Sequence, residues 1–565
     1  MHRIVRCGVF LYLLSLTYNL KNVNIIRENQ GGMSVSVYLL VSAIIIFVCV
    51  LFNRVSKKLG IPALLTFIAL GMCFGSDGIF KINFDNYIFA ERICSIALIF
   101  IMFYGGAGTR IKEAKSVAVK SMLLSSLGTV LTAFLVGIFC HYVLKIAILE
   151  SFLIGSVISS TDAASVFSIL RSKKLALRYK TASMLELESG SNDPFSYMLT
   201  IIFLTIMTGD ISSGKIAYMI FAQIVYGGVF GVVLAYGALW FFKKYKFKTE
   251  GMDAIFVVAV ALMSYAAPSL IGGNGYLSAY ICGIILGNHE IRNKRTIIHF
   301  FDGVTGLMQM LLFFLLGLLS FPSQLPSIAP TAVIIALFLT FVARPLAVAV
   351  ILTPFGCKLN QQTMVSWSGL RGAASIVFAI MTVVNPAVMD NDIFHIVFFI
   401  VLFSILIQGS LIPMIAKKLN MIDEKDDILK TFTDYSYELP VSFIEFKVPK
   451  EHQWADKTVQ ELNLPKNLII VLILRGEEKI IPKGATYILA NDKIILCGRS
   501  GESVDGVAIS EIEIDKKHPM CDQTIKNISK ENEIVVMIKR GKNLIIPDGN
   551  TMVLEQDVVI VNKNN

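Results

Sequence analysis

Charge is scarce in this chain. Asp, Glu, Lys and Arg supply 16% of its 565 residues, too little for the hydrated surface of a soluble protein of that length, and the mean hydropathy is +0.67. Such a composition indicates many membrane spans, because one soluble core does not absorb that much hydrocarbon. Cysteine offers no framework either. The nine are scattered without CxxC pairs or regular spacing, several inside apolar runs, which supports neither disulfides nor a zinc site and leaves them as reduced core fillers. No cofactor is expected. The net charge of +10 does not indicate a nucleic-acid partner, because the Lys and Arg of the apolar part sit almost entirely in short loops, the positive-inside signature of a polytopic protein.

What the chain has instead is a succession of long apolar runs. Taking stretches of roughly 17 to 28 apolar residues as spans gives thirteen, over 36–53, 61–78, 88–106, 116–141, 148–170, 181–208, 214–242, 252–268, 273–288, 297–320, 327–353, 361–383 and 391–416. Loop charge checks the count. Arg54, Lys57 and Lys58; Arg110, Lys112 and Lys115; Arg171, Lys173, Lys174, Arg178 and Lys180; Lys243, Lys244, Lys246 and Lys248; and Arg292, Lys294 and Arg295 occupy every second loop, whereas 209–214, 272–275, 321–330 and 385–392 hold almost no Lys or Arg. The alternation places the N-terminus of the first span outside and, with Lys417 and Lys418, the C-terminal region in the cytoplasm of a cell-membrane protein. The apolar character stops near residue 418, so 33–420 reads as a transmembrane domain, and 434–503 and 507–565 as two soluble, strand-rich domains. Residues 1–32 are an extension with two open readings: a signal-anchor, with Arg3 and Arg6 ahead of the apolar run 7–16, or a segment upstream of a true start at Met33.

Carboxylates within a bilayer are costly, so each is a functional-site candidate. The fifth span carries Ser159, Ser160, Thr161 and Asp162; the sixth carries Glu186, Glu188, Ser189, Asn192 and Asp193. Helix rise from the cytoplasmic ends puts Asp162 roughly 12 Å and Asp193 roughly 18 Å deep, both near the middle of a hydrocarbon layer about 30 Å thick. Ser189 and Asp193 share a helix face, while Glu188 leans toward a neighbouring helix and needs a cation. The twelfth span offers Arg371, between Gly369 and Gly372, and a Glu188–Arg371 tie is the expectation. Arg344, in the eleventh span, reads as structural. The run 159–165 is a poor continuous helix, since its Ser, Thr and Asp side chains compete for backbone hydrogen bonds. A break there, and a second at Gly369 and Gly372, predicts the discontinuous spans that build ion sites at midplane.

These residues resemble a known family, the cation/proton antiporters of the monovalent cation:proton antiporter-1 type, the NhaP-like group. The resemblance covers 33–418 and rests on Thr161-Asp162, on the ESxxND string from Glu188 to Asp193 and on the GLRG string around Arg371. It implies an all-α fold of two six-helix inverted repeats, spans one to six and eight to thirteen, with the broken fifth and twelfth spans crossing at midplane. It also implies a homodimer working by elevator-like alternating access. On this resemblance Asp193 carries the proton or the transported cation, K⁺ or Na⁺, and Ser189 with the Thr161 backbone completes the cation shell. Asp162 balances the half-helix ends, Asn192 marks the electroneutral subclass, and Glu188 and Arg371 support the site. Gly190 is a departure, standing where many relatives carry a larger apolar residue.

Beyond the membrane domain, residues 469–492 recur at a constant offset of 65 as 534–557, with Arg475/Arg540, Gly476/Gly541, Pro482/Pro547, Gly484/Gly549 and Asp492/Asp557 coinciding without a gap. Each copy predicts a strand, an Arg-Gly turn, a strand, a Pro-x-Gly turn and a strand after the Asp. The pattern resembles the C-terminal half of the regulator-of-potassium-conductance module, also called TrkA-C, an α+β domain. That resemblance implies regulation of ion transport, in some cases through a cyclic dinucleotide or another small ligand, and favours K⁺ over Na⁺. No GxGxxG half precedes the repeats, which argues against a Rossmann-type dinucleotide site.

Two other classes suit a polytopic chain. A ligand-gated channel needs a filter-like carbonyl ring, and no TVGYG-like run exists. An intramembrane aspartyl protease also uses two membrane Asp residues, but the GxGD string expected by resemblance to that class is missing. An exchanger of monovalent cations for protons accounts for Asp162, Asp193 and Arg371 together, serves ion, pH and volume homeostasis, and involves no enzyme chemistry.

Overall fold

The computed structural model describes residues 63–423 and 441–563 with short interruptions, and part of 36–52. Residues up to Tyr437 form one compact unit and those from Glu438 another, and each stands by itself below. The extension 1–32 lies outside the described residues.

The first unit is helical, and its helices follow the thirteen predicted spans. The second and third are Ala63–Phe74 and Tyr87–Gly108, the sixth to tenth are Thr181–Met207, Ser213–Lys244, Met252–Ser269, Gly275–Asn288 and Lys294–Leu319, and the thirteenth runs Ile393–Lys418; of the first, Ala43–Phe52 is described. Both predicted breaks are present. The fifth span is two half-helices, Ile148–Val157 and Ala163–Ser172, and the twelfth is Leu359–Trp367 and Ala373–Val384. The fourth and eleventh spans also match each other, each carrying one π-helical turn, Leu124–Gly128 and Leu339–Ala343. A π turn in the fourth member and a break in the fifth member of each six-span set are the marks of the inverted repeat, and such irregular backbone is tolerated in a bilayer only where protein or water covers it.

The helices sort into two groups. The fourth, fifth and sixth spans pack on one another and, through the crossing, against the eleventh, twelfth and thirteenth; the second and third pack on the ninth and tenth, with the seventh and eighth alongside. The first group carries the polar break residues, and its apolar residues pack around them in two clusters, one including Leu153, Val157 and Phe378 and the other Val166, Leu170 and Leu370. In the sixth span Pro194, next to Asp193, has no N–H to donate up the helix.

The second unit contains the repeat as two four-stranded antiparallel sheets. The strands are β1 (Val441–Lys447), β2 (Lys457–Thr458), β3 (Leu468–Arg475), β4 (Glu478–Ile480), β5 (Tyr487–Ile488), β6 (Lys493–Arg499), β7 (Ile509–Glu513), β8 (Glu533–Arg540), β9 (Asn543–Ile545) and β10 (Val558–Lys563). The first sheet runs β1-β6-β3-β4 and the second β7-β10-β8-β9, the same order twice. β3 pairs with β4 across the predicted turn at Gly476, and β8 pairs with β9 in the same register.

The repeat extends further than its offset of 65 discloses. His452 and His518 hold equivalent turns, their backbone N–H groups donating to Pro449 and Asp515 carbonyls at 3.1 and 3.0 Å, and Asp456 and Asp522 both take positive φ, 61° and 57°. These pairs are 66 apart, so the second copy is a residue shorter between this turn and the strand that ends in the repeated Arg.

Candidate functional site

The site is built where the fifth and twelfth spans interrupt each other. Ile148–Val157 ends with carbonyls that have no intrahelical donor, and Ala163–Ser172 starts with N–H groups that have no intrahelical acceptor. The sequence meets both. Asp162 lies just before the second half-helix, where its carboxylate accepts from the Ser165 N–H at 3.3 Å and the Ser165 hydroxyl at 2.6 Å, a capping arrangement that also sets a negative charge at the positive helix end. Arg371 serves the opposite pole: its Nη1 donates to the Ser160 carbonyl at 2.8 Å and the Ser159 carbonyl at 3.4 Å.

The two breaks are also joined directly. The Asp162 N–H donates to the Leu370 carbonyl at 2.7 Å, and the Arg371 N–H donates to the Ser404 hydroxyl at 3.2 Å, which lies on a π turn of the thirteenth span, Ser404–Gly409. Gly372 meets Asp162 so closely that a Cβ there would overlap its carboxylate. Asp162 therefore stands at the start of the twelfth span's second half-helix as well as the fifth's.

Asp193, on the sixth span, faces this crossing and is 6% exposed. The Ser160 hydroxyl donates to its Oδ1. Ser160 stands in the polar run but not among the residues singled out for ion binding; the signal that points to it is its place in the non-helical break, two residues ahead of the capping Asp162, where a side chain is freed from the helix face. Ser189 donates to the Thr161 carbonyl at 2.8 Å and accepts from the Ala163 N–H at 2.9 Å. Asn192 Nδ2 donates to the Thr161 hydroxyl at 2.6 Å. Ser160 and Thr161 of the break thus bond to Asp193, Ser189 and Asn192 of the sixth span, and Asp162 lies in the same break, so Thr161, Ser189, Asn192, Asp162 and Asp193 gather at the crossing as expected, with hard oxygen ligands of the kind that suit an alkali cation. Asn192 Oδ1 is buried with no hydrogen-bond partner among the described residues.

One expected tie is corrected. Glu188 does not pair with Arg371: its Oε1 receives Nη2 of Arg344, and the two side chains are 1% and 3% exposed. The reason is geometric. Arg371 lies in the break, not on a helix face, and the orphan carbonyls of residues 159 and 160 occupy its Nη1; Arg344 starts a regular helix directly after the eleventh span's π turn and reaches the sixth span. The reading of Arg344 as structural fits this pair. Arg371 Nε and Nη2 and Glu188 Oε2 are buried with no hydrogen-bond partner among the described residues.

The departure at Gly190 has a cause in the fold. A Cβ there would lie 2.7 Å from the Tyr280 ring of the ninth span and 2.8 Å from its hydroxyl. Tyr280 is 3% exposed and takes the space a side chain at 190 would fill. Glu186 is half-buried two residues ahead of Glu188.

In the second unit the repeated Arg and Asp form one device twice. Arg475 grips Asp492 with Nε and Nη2 at 3.0 and 2.8 Å, and Arg540 grips Asp557 at 2.9 and 2.8 Å. Each Arg also donates to a carbonyl, Tyr487 or Met552, and each Asp also accepts an N–H, from Leu489 or Leu554.

Comparison with known proteins agrees with both units. A family model described as the transmembrane sodium/hydrogen exchanger matches residues 43–418, and the TrkA-C domain model matches twice, over 443–503 and 509–562. The chain is 31% identical over 477 residues to a K(+)/H(+) antiporter NhaP2 of Shewanella sp. (strain ANA-3), covering 82% of each chain. It is 31% identical over 473 residues to the K(+)/H(+) antiporter NhaP of Alkalimonas amylolytica, again with 82% of each covered. Among solved structures, the sodium proton antiporter MjNhaP1 of Methanocaldococcus jannaschii superposes with a TM-score of 0.61 at 22% identity, over 68% of this chain and 99% of that one, a likeness of fold.

Proposed function

The chain belongs to the sodium/hydrogen exchanger family of multi-pass membrane transporters, and from that premise we propose that it exchanges K⁺ for H⁺, with both ions competing for the carboxylate of Asp193. The observation that carries this reading is the position of Asp193: a buried acid beside the Ser160 hydroxyl, at the crossing of two interrupted spans. A site of this kind lets a dehydrated cation find oxygen ligands at midplane while leaving no room for proton and metal together.

Charge at the crossing supports one-for-one exchange. Arg344 and Arg371 stand against Glu188, Asp162 and Asp193, which leaves one negative charge with every group ionised. One proton or one alkali cation on Asp193 cancels it. A loaded site is then neutral in either form and crosses the low-dielectric layer far more easily than an empty one, which couples the two fluxes. In this reading Ser189 and the Thr161 carbonyl exchange their mutual hydrogen bond for the cation, Asn192 holds Thr161 in place, and Asp162, Glu188 and Arg371 keep the crossing intact.

K⁺ is preferred over Na⁺ because relatives named as K(+)/H(+) antiporters align over 82% of the chain together with its C-terminal part, and because two TrkA-C domains follow the membrane domain. We read these domains as cytoplasmic regulators that bind a small ligand, a cyclic dinucleotide being one chemical class, and the protein as a homodimer. The test is proteoliposomes carrying an internal pH dye. Addition of K⁺ should release protons with a larger and faster signal than Na⁺ or Li⁺, the response should be insensitive to a clamped membrane potential, and Asp193→Asn should abolish it. Cation flux with no opposing proton flux refutes the reading, and a stronger response to Na⁺ reassigns the ion.

A further inference from the structure

A second polar cluster lies between Asp193 and the Lys-poor membrane face. One turn beyond Asp193 on the sixth span, Tyr197 stacks edge-on against Tyr276 with centroids 5.0 Å apart, and Tyr276 packs on Tyr265 at 4.9 Å. Phe378 of the twelfth span completes the group, 5.8 Å from Tyr197. Tyr276 is fully buried, and its hydroxyl lies beside Ser95 and Tyr265 without closing a hydrogen bond of ordinary geometry. Ser95 in turn donates to Glu91 Oε1 at 2.9 Å. Glu91 begins the third span one turn inside its Asn86 cap, and among the described residues it has no ion-pair partner.

Every element of this cluster is at the Lys-poor end of its helix. The third span begins there, the sixth and eighth end there, and the ninth begins there after the loop 272–275, the side that loop charge assigns to the outside. Tyr197 and Phe378 belong to the group of helices that carries Asp193; Tyr265, Tyr276, Ser95 and Glu91 belong to the other group. The aromatic contact therefore lies between the two groups at their outer ends, with Tyr197 one turn outward of Asp193 and Glu91 one turn inside the outer start of the third span. Glu91 is half-buried, and a carboxylate near the membrane that has only the Ser95 hydroxyl and no cation to balance it is costly; the buried Tyr276 hydroxyl, with no hydrogen bond of ordinary geometry, is costly too. An alkali cation satisfies both, since carboxylate, serine and phenol oxygens are the ligands it takes.

We propose that Glu91, with Ser95 and the hydroxyls of Tyr276 and Tyr265, forms an outer station for a monovalent cation, which receives the ion before the aromatic contact opens toward Asp193. The proposal rests on exchange at Asp193 and adds a site used from one face only. It is tested by measuring exchange in right-side-out and everted membrane vesicles with K⁺ added to the bath. Glu91→Gln should raise the apparent KM for K⁺ about tenfold when K⁺ is presented at the outer face, the scale of losing one charged contact, and shift it several times less at the inner face. Glu91→Asp should recover most of the outer affinity, and Tyr276→Phe should shift the outer KM in the same direction by a smaller factor. Wild-type outer kinetics in Glu91→Gln, or an equal shift at both faces, overturns the proposal. Should Glu91→Gln fail to reach the membrane, Tyr276→Phe decides, and the absence of an outer-face shift there is fatal. Asp193→Asn discriminates the two levels: exchange persisting in that variant removes the Asp193 reading, whereas a silent Glu91→Gln beside an inactive Asp193→Asn removes only the outer station.

Discussion

The Asp162 N–H is hydrogen-bonded to the Leu370 carbonyl at 2.7 Å, so the two interrupted spans hold each other through the very backbone that each break exposes. Gly372 makes the approach sterically feasible. All three atoms nearest to a Cβ at that position belong to the Asp162 side chain, which is itself fixed by Ser165. Gly372→Ala should therefore displace Asp162 from both helix starts, costing about 1–3 kcal/mol as an overpacked core does, and reduce the rate of proton release in proteoliposomes at least about tenfold. A variant with wild-type rate and melting temperature would mean that the spans part freely at this point.

Glu188 and Arg344 give a second, independent check. Removing one partner of a buried pair leaves the other uncompensated and costs about 3–5 kcal/mol, whereas replacing both with apolar residues is often neutral. Glu188→Leu alone should lower the melting temperature of the purified protein sharply, and Glu188→Leu with Arg344→Met should recover most of it. Adding Arg371→Met to Glu188→Leu should not. Rescue by the Arg371 change instead would restore the pairing expected from the sequence.

That mistaken pairing shows where a sequence stops being legible. Spans, loop charge, both breaks and the gathering of Thr161, Ser189, Asn192, Asp162 and Asp193 follow from local chemistry: hydropathy, cap residues and helix rise. The need of Glu188 for a cation is legible too, but two buried arginines, Arg344 and Arg371, can supply it. The choice depends on rotation about the eleventh span, which a π turn just ahead of Arg344 sets and which no residue pattern in Leu339–Ala343 announces. Ser160 is illegible for a related reason, since its orientation is decided by the non-helical backbone inside the break. In the second unit the copies align at 65 over 469–492 and 534–557 but at 66 around His452 and His518, because one residue is lost in a loop between, so a constant offset discloses only the later part of each copy.

Gly190 and Tyr280 offer a test of contact between the two helix groups. The Tyr280 ring fills the space beside Gly190, and the Ser191 hydroxyl is 3.4 Å from its hydroxyl. Gly190→Leu should clash with the ring and stop exchange, while the double variant Gly190→Leu with Tyr280→Ala should regain a substantial part of the rate. Failure of the second change to rescue the first, with both proteins folded, would show that the ring is not the obstacle.

The Arg–Asp pairs of the second unit predict a pH dependence of stability. Burial would by itself raise the Asp492 carboxyl, but hydrogen bonds from Arg475 and the Leu489 N–H, with the charge of Arg475, hold it below the ordinary carboxylate range. At Asp557 the hydrogen bond from Arg540 leads, and the balance is again downward despite burial. A carboxyl lowered on folding stabilises the folded form above its unfolded pKa of about 3.9. That contribution disappears as pH falls through the lowered folded value, because the unfolded chain takes up the proton first. Trp454 is the only tryptophan beyond Glu438 and packs against Phe446 with centroids 5.6 Å apart, so its fluorescence reports the first sheet. The melting temperature of the soluble fragment 438–565 should hold steady from pH 7 to about pH 5 and drop as the acid range below about pH 4 is entered. Asp492→Asn should lower it at pH 7 and remove the Asp492 share of the acid slope, leaving that of Asp557. An unchanged slope in that variant would assign the acid sensitivity to other carboxylates and leave the Arg475 pair without a measurable share in holding the sheet together.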